Sequence, residues 1–176
     1  MNQFFQDVLT LGYKSNSQDN PLHEHQVEEL LIKHNINYVA QPNGIQNSPD
    51  FRVTLENGKT IDIECKSSKQ TYPTYNGGLP KKGVVYIFSS AKYDDTTVYF
   101  AEDVVSERKR ELYNQLVNDL NSVLKTYQLD AGWNEDPRGF DFYMRAMYTQ
   151  SGAGKKDYFT HSERKRCESN VLNHRW

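Results

Sequence analysis

The stretch from Ser48 to Ser68, SPDFRVTLENGKTIDIECKSS, limits what this chain can fold into more than any other part of it. Phe51, Val53 and Leu55 alternate with polar residues on one side of Asn57-Gly58, and Ile61, Ile63 and Cys65 alternate on the other. A period of two is the signature of a half-buried strand, and Asn-Gly tolerates the positive φ angles of a tight turn. The spacing therefore predicts a β-hairpin closed by a two-residue turn. Alternation also places the charges, with Asp62, Glu64 and Lys66 on the face opposite Ile61, Ile63 and Cys65.

Asp50 stands where the first strand begins, and an antiparallel hairpin brings it back toward the far end of the second. Two carboxylates, Asp50 and Glu64, and the amine of Lys66 would then converge. Carboxylate oxygens suit a hard cation such as Mg²⁺, which takes one or two of them and keeps its remaining positions for water and substrate phosphate. A lysine beside such an ion can orient or help deprotonate a water and offset charge on a phosphate. The alternative is a solvated strand face.

Pro49-Asp50, thirteen intervening positions and then Glu64-Cys65-Lys66 resemble the PD-(D/E)xK motif of the restriction-endonuclease-like nuclease superfamily. The resemblance implies an α/β fold with a restriction-endonuclease-like core, a central mixed β-sheet flanked by α-helices, and a single nuclease domain over residues 1–176. It implies that Asp50 and Glu64 bind one or two Mg²⁺ ions, with the backbone carbonyl of Cys65 as a further ligand, and that Lys66 positions the attacking water. The first core helix of the superfamily often adds a glutamate, for which Glu24 is the candidate and Glu28 its rival. The activity implied is hydrolysis of double-stranded DNA to a 5′ phosphate and a 3′ hydroxyl, most simply by a type II restriction endonuclease. Such an enzyme pairs as a homodimer and implies a cognate DNA methyltransferase in the cell. A Holliday-junction resolvase or repair nuclease would share the site residues, and a catalytically silent DNA-binding module is the reading from another class.

The rest of the chain supplies the frame. Phe4, Phe5, Val8 and Leu9 form a short amphipathic segment suited to core docking. PLHEHQVEELLIKHN, Pro21 to Asn35, predicts a helix with Asn20 as N-cap, proline at the first position and an apolar stripe of Leu22, Val27, Leu30 and Leu31. His23, His25 and His34 lack the spacing of a zinc site. Ile36–Gln41, Val84–Ser90 and Thr96–Ala101 read as strands, the second nearly continuous in apolar residues as a doubly covered central strand would be. Glu102 to Gln128 reads as one long helix that buries Val104, Val105, Leu112, Leu116, Leu120, Val123, Leu124 and Tyr127; a solvated face explains its charged start, and a partner helix in a dimer is the sharper alternative. FDFYMRAMY reads as a strand, SGAGKK as a turn whose glycine spacing excludes a phosphate-binding P-loop, and His161 to Arg166 as a basic run that could follow a DNA backbone. Residues 131–176 form a possible DNA-contacting or dimerisation subregion.

Two polar loops flank the motif. Gln41, Asn43, Gln46, Asn47 and Ser48 precede it; Ser68, Lys69, Gln70, Tyr72, Asn76, Lys81 and Lys82 follow it within Ser67–Gly83, which reads as a loop. Amides and lysines of this kind can contact bases and phosphates, and turn chemistry explains the same residues. The net charge of −2 gives no general support to nucleic-acid binding. Its distribution gives more: residues 1–65 carry −5 and residues 138–176 carry +4. The lack of a long apolar run, the absence of a signal-peptide pattern at the N-terminus and two lone cysteines point to a cytoplasmic protein in a reducing compartment.

Overall fold

The computed structural model describes residues 1–14, 21–45, 47–136, 138–149 and 157–176. The motif hairpin is formed by β2 (Phe51–Thr54) and β3 (Thr60–Ser68), paired antiparallel with Phe51 opposite Ile63 and Thr54 opposite Thr60, after β1 (Asn37–Ala40). Its turn is one residue longer than the sequence suggests. Leu55 N–H donates to the Lys59 carbonyl (2.8 Å) and Gly58 N–H to the Leu55 carbonyl (2.9 Å), so Glu56, Asn57 and Gly58 form the loop. Gly58 takes φ +78° while Asn57 stays at negative φ and accepts the Lys59 amide at 3.0 Å. This is the arrangement of a turn followed by a left-handed glycine, which preserves strand twist as well as a two-residue turn does.

Five strands form the main sheet in the order β1-β2-β3-β5-β6, where β5 is Val84–Ser90 and β6 is Asp95–Phe100. Every neighbouring pair is antiparallel except β3 and β5, so the sheet is mixed. A parallel pair requires a crossover. Residues 69–83 supply it, and within them β4 (Thr74–Tyr75) pairs with β7 (Tyr148–Thr149) as a separate two-stranded ribbon. The expected loop thus carries a strand, and the expected strand FDFYMRAMY contributes only its last residue, Tyr148, to one.

The two faces of the sheet have separate cores. Ile61, Ile63, Cys65, Val85 and Ile87 point to the face covered by α1 (Asn2–Val8) and α2 (Pro21–Lys33), through Phe4, Phe5, Val8, Val27 and Leu31. Tyr86, Phe88 and Tyr99 point to the other, packed by Tyr75, Tyr158, Phe159 and Cys167. Every residue of β5 is buried, as a central strand covered on both sides should be. Leu22 is more exposed than its place in the helical stripe suggests. The proposed cap Asn20, the turn SGAGKK and Gln46 lie outside the described residues. Among the described residues no helix is long and apolar enough to cross a membrane.

The C-terminal half departs most from expectation. The single long helix is two: α3 (Ala101–Val104) ends at an extended Val105, and Ser106 caps α4 (Glu107–Gln128) by accepting the Lys109 amide. No residue of α4 is buried. A helical stripe reports that apolar side chains share a face; it does not report that anything covers that face. Two cations of the basic run have partners within the chain. Arg164, heading α5 (Arg164–Leu172), bonds Asp95 and Glu168, and Arg166 bonds Asp103 and Glu163.

Candidate active site

Strand β3 outlasts its partner. The β2 pairing ends at Phe51–Ile63, so from Glu64 onward the β2-side edge of β3 has no strand beside it. Asp50 fills that gap, its Oδ2 accepting the Cys65 N–H at 2.6 Å. Within a strand the N–H and C=O of one residue leave by the same edge, so the Cys65 carbonyl leaves on the side of Asp50 too. Cys65 lies between Glu64 and Lys66, and those two meet on the opposite face to it, Lys66 Nζ donating to Glu64 Oε1 at 2.6 Å. The three motif residues are thus brought together as the spacing predicts. Asp62, on the same face of β3, is tied by two hydrogen bonds to Arg52 across the hairpin and takes no part.

Glu24 joins from the first turn of α2. Burial, then the charges of Asp50 and Glu64, push its carboxyl up to about 7. Burial and the charge of Glu64 push Asp50 up to about 6, against the lowering effect of the Cys65 amide. Elevation by burial and by neighbouring carboxylates marks acids held close together in a partly dry place. Glu28, the rival, accepts a 2.8 Å hydrogen bond from the Tyr38 hydroxyl and has a structural partner instead. Of the histidines, His23 is buried against the Ile87 carbonyl and held down to about 4 by that burial, and His34 bonds Asp7.

Among the described residues, no three His, Cys, Asp or Glu side chains close into a ready ligand cage. Mg²⁺ does not need one, since it is held through one or two carboxylates plus water and phosphate. Glu64 Oε2 is buried and has no hydrogen-bond partner among the described residues. An orphaned anionic oxygen is costly unless a proton or a cation meets it. That oxygen, Asp50 and the Cys65 carbonyl are a hard, oxygen-only donor set, and they fit this ion.

The site opens into a cleft of about 400 Å³ lined by Glu64, Lys66, Ser67, Ser68, Asn47, Ser48, Asn76, Lys81 and others. Five of the loop candidates therefore lie at it: Asn47, Ser48, Ser68, Asn76 and Lys81. Gln41, Asn43, Lys69, Gln70, Tyr72 and Lys82 do not line it. Their partners explain where they went. Asn43 donates to the Ser48 carbonyl and Asn47 in turn to Asn43, which is the turn chemistry of that loop. Tyr72 packs on the second core, and Lys82 pairs with Glu107 at 2.7 Å.

Sequence reasoning missed Arg145 and Tyr86, which also line the cleft. Arg145 Nε donates to the Asn76 carbonyl at 3.0 Å, and the β4–β7 ribbon holds it there. Tyr86 stands beside Glu64 in the parallel register, and its hydroxyl accepts the Lys81 amide at 2.8 Å, anchoring the crossover over the cleft. Three cations, Lys66, Lys81 and Arg145, thus border one carboxylate-bearing cleft. No family model, no curated protein and no solved structure matches this chain.

Proposed function

We propose that the protein is a Mg²⁺-dependent endonuclease of the restriction-endonuclease-like type that hydrolyses double-stranded DNA, with a type II restriction enzyme as the specific reading. One observation carries it: the Asp50 carboxylate is bonded to the backbone amide between Glu64 and Lys66, so the three groups of the PD…ECK pattern share one site. Asp50 and Glu64, with the Cys65 carbonyl and Glu24 beside them, are the residues that would hold Mg²⁺, and the ion when bound supplies positive charge to a phosphate and its attacking water. The 2.6 Å contact to Glu64 holds the Lys66 ammonium where it can orient that water and offset charge developing on the phosphate. Lys81 and Arg145 at the cleft rim are suited to neighbouring phosphates. By the resemblance, the 3′ oxygen leaves and a 5′ phosphate remains.

The test is incubation with plasmid and phage DNA, with and without Mg²⁺, followed by sequencing of the ends. Discrete fragments with 5′ phosphates are expected. Cutting only of branched DNA would move the reading to a resolvase, and a persistent gel shift with DNA left intact under all Mg²⁺ conditions would move it to a binding module. Asp50→Ala, Glu64→Ala and Lys66→Ala are expected to fold, to bind DNA and to lose cleavage by at least about 100-fold. Normal cleavage by a folded Lys66→Ala protein would remove the lysine from the chemistry.

A further inference from the structure

Residues 80–83 of the crossover are each tied to a different side chain. The Pro80 carbonyl accepts from Arg110 Nη1, the Lys81 amide donates to the Tyr86 hydroxyl at 2.8 Å, Lys82 Nζ pairs with Glu107 at 2.7 Å, and the Gly83 amide donates to Glu102 at 2.8 Å. Helix α4, which contains no buried residue, supplies the ties at Pro80 and Lys82. What this strap carries is the Lys81 ammonium, which reaches the Ser48 carbonyl beside the cleft at 3.4 Å. That contact is long, and the same carbonyl accepts from Asn43 at 2.8 Å, so Lys81 can leave without orphaning its acceptor.

One carbonyl does not account for an arginine at position 110. Arg110 Nε and Nη2 are buried without a hydrogen-bond partner among the described residues, and orphaned donors on a cation are costly. Methionine would keep the packing of the stem and shed those donors, so stability alone does not call for arginine here. We propose that Arg110 is a positioning residue: it fixes the strap so that Lys81 stands at the cleft, where the lysine passes from the Ser48 carbonyl to a phosphate of bound DNA. The identity of that anion rests on the nuclease reading; the fastening of the strap does not. Arg110 itself does not line the cleft, so it acts on the substrate only through the crossover.

Amide hydrogen exchange reads the fastening without any substrate. The Lys81 amide is expected to exchange at least about tenfold faster in Arg110→Met than in wild type, at an unchanged melting temperature. On supercoiled plasmid with Mg²⁺, Lys81→Met and Arg110→Met should each raise KM about tenfold at nearly constant kcat, and the double variant should be no worse than either alone. Each should also lower the slope of log kcat/KM against log salt by about 0.9, the signature of one lost phosphate contact. Arg110→Lys, which still offers a donor to the Pro80 carbonyl, should recover most of the KM. Unchanged Lys81 exchange in Arg110→Met, additive losses in the double variant, or a wild-type salt slope for Arg110→Met would each overturn the positioning role and leave the nuclease reading intact. Wild type that neither binds nor cuts DNA would overturn the nuclease reading, and the phosphate proposed for Lys81 with it.

Discussion

Strand β3 and helix α4 carry equally regular apolar patterns, and the fold treats them in opposite ways. Ile61, Ile63 and Cys65 of β3 are buried beneath α1 and α2, whereas α4 contributes no buried residue at all. The difference lies in what surrounds each element. β3 has a strand on either side and the α1/α2 layer packed on its apolar face, so its alternation has something to fit. Helix α4 follows the last strand of the sheet and packs mainly on the short turn at Ala131–Asn134 after it. Periodicity thus reports the shape of a surface, while burial depends on what the topology brings to it.

The sharpest way to break this contrast is to truncate a side chain on each side of it. Ile63→Ala removes a fully buried side chain between β2, β5 and α2 and is expected to cost about 2–5 kcal/mol, read as a lower urea midpoint at constant slope. A loss below about 1 kcal/mol would mean that the core is looser than its burial implies.

A second, smaller effect concerns charge. The Asp50 carboxyl holds its proton to about 6 in the fold, against 3.8 unfolded, so between these values the folded state binds more protons. Its contribution to stability is therefore full below pH 3.8 and is lost as pH rises through about 6. Without Mg²⁺, the Asp50 share of wild-type stability lost across that window should be about 3 kcal/mol. Asp50→Asn, which can still accept the Cys65 amide, should flatten this part of the profile. Added Mg²⁺ should stabilise wild type at pH 8 and not the variant. A pH profile that Asp50→Asn leaves unchanged would remove the electrostatic strain from this site.

The strand pattern made much of the main sheet legible. β5 has the boundaries that its apolar run marks, and Asp50, Glu64 and Lys66 meet because alternation and antiparallel pairing are local rules. Arg145 was not legible, since it reaches the cleft through a pairing of two-residue strands and bonds a carbonyl 69 positions away. Nothing in the local pattern around Arg145 encodes that contact. The turn lies between these cases. Asn57-Gly58 marks its place, but its length depends on which residue takes positive φ. Gly58→Ala should therefore cost about 1 kcal/mol through backbone strain alone, as no atom crowds the added methyl. Asn57→Gly should give no comparable gain from relief of strain, because Asn57 is not in the left-handed region. A stabilisation of about 1 kcal/mol on that substitution would restore the two-residue turn.

The smallest effect is the one that tests the α4 side of the comparison. In a protomer, Leu120→Glu removes an apolar side chain that is already 44 % exposed, so unfolding of dilute protein should change by less than about 0.5 kcal/mol. If two copies share this face, the same substitution should lower the melting temperature of concentrated protein, because association stabilises only the folded form and does so by mass action. The wild-type melting temperature should then rise with concentration while that of Leu120→Glu stays flat, and Ile63→Ala should shift both ends of the series by the same amount. Concentration dependence therefore tests the α4 face by a property that neither burial nor periodicity contains. Parallel, concentration-independent curves for wild type and Leu120→Glu would show that α4 stands alone in water.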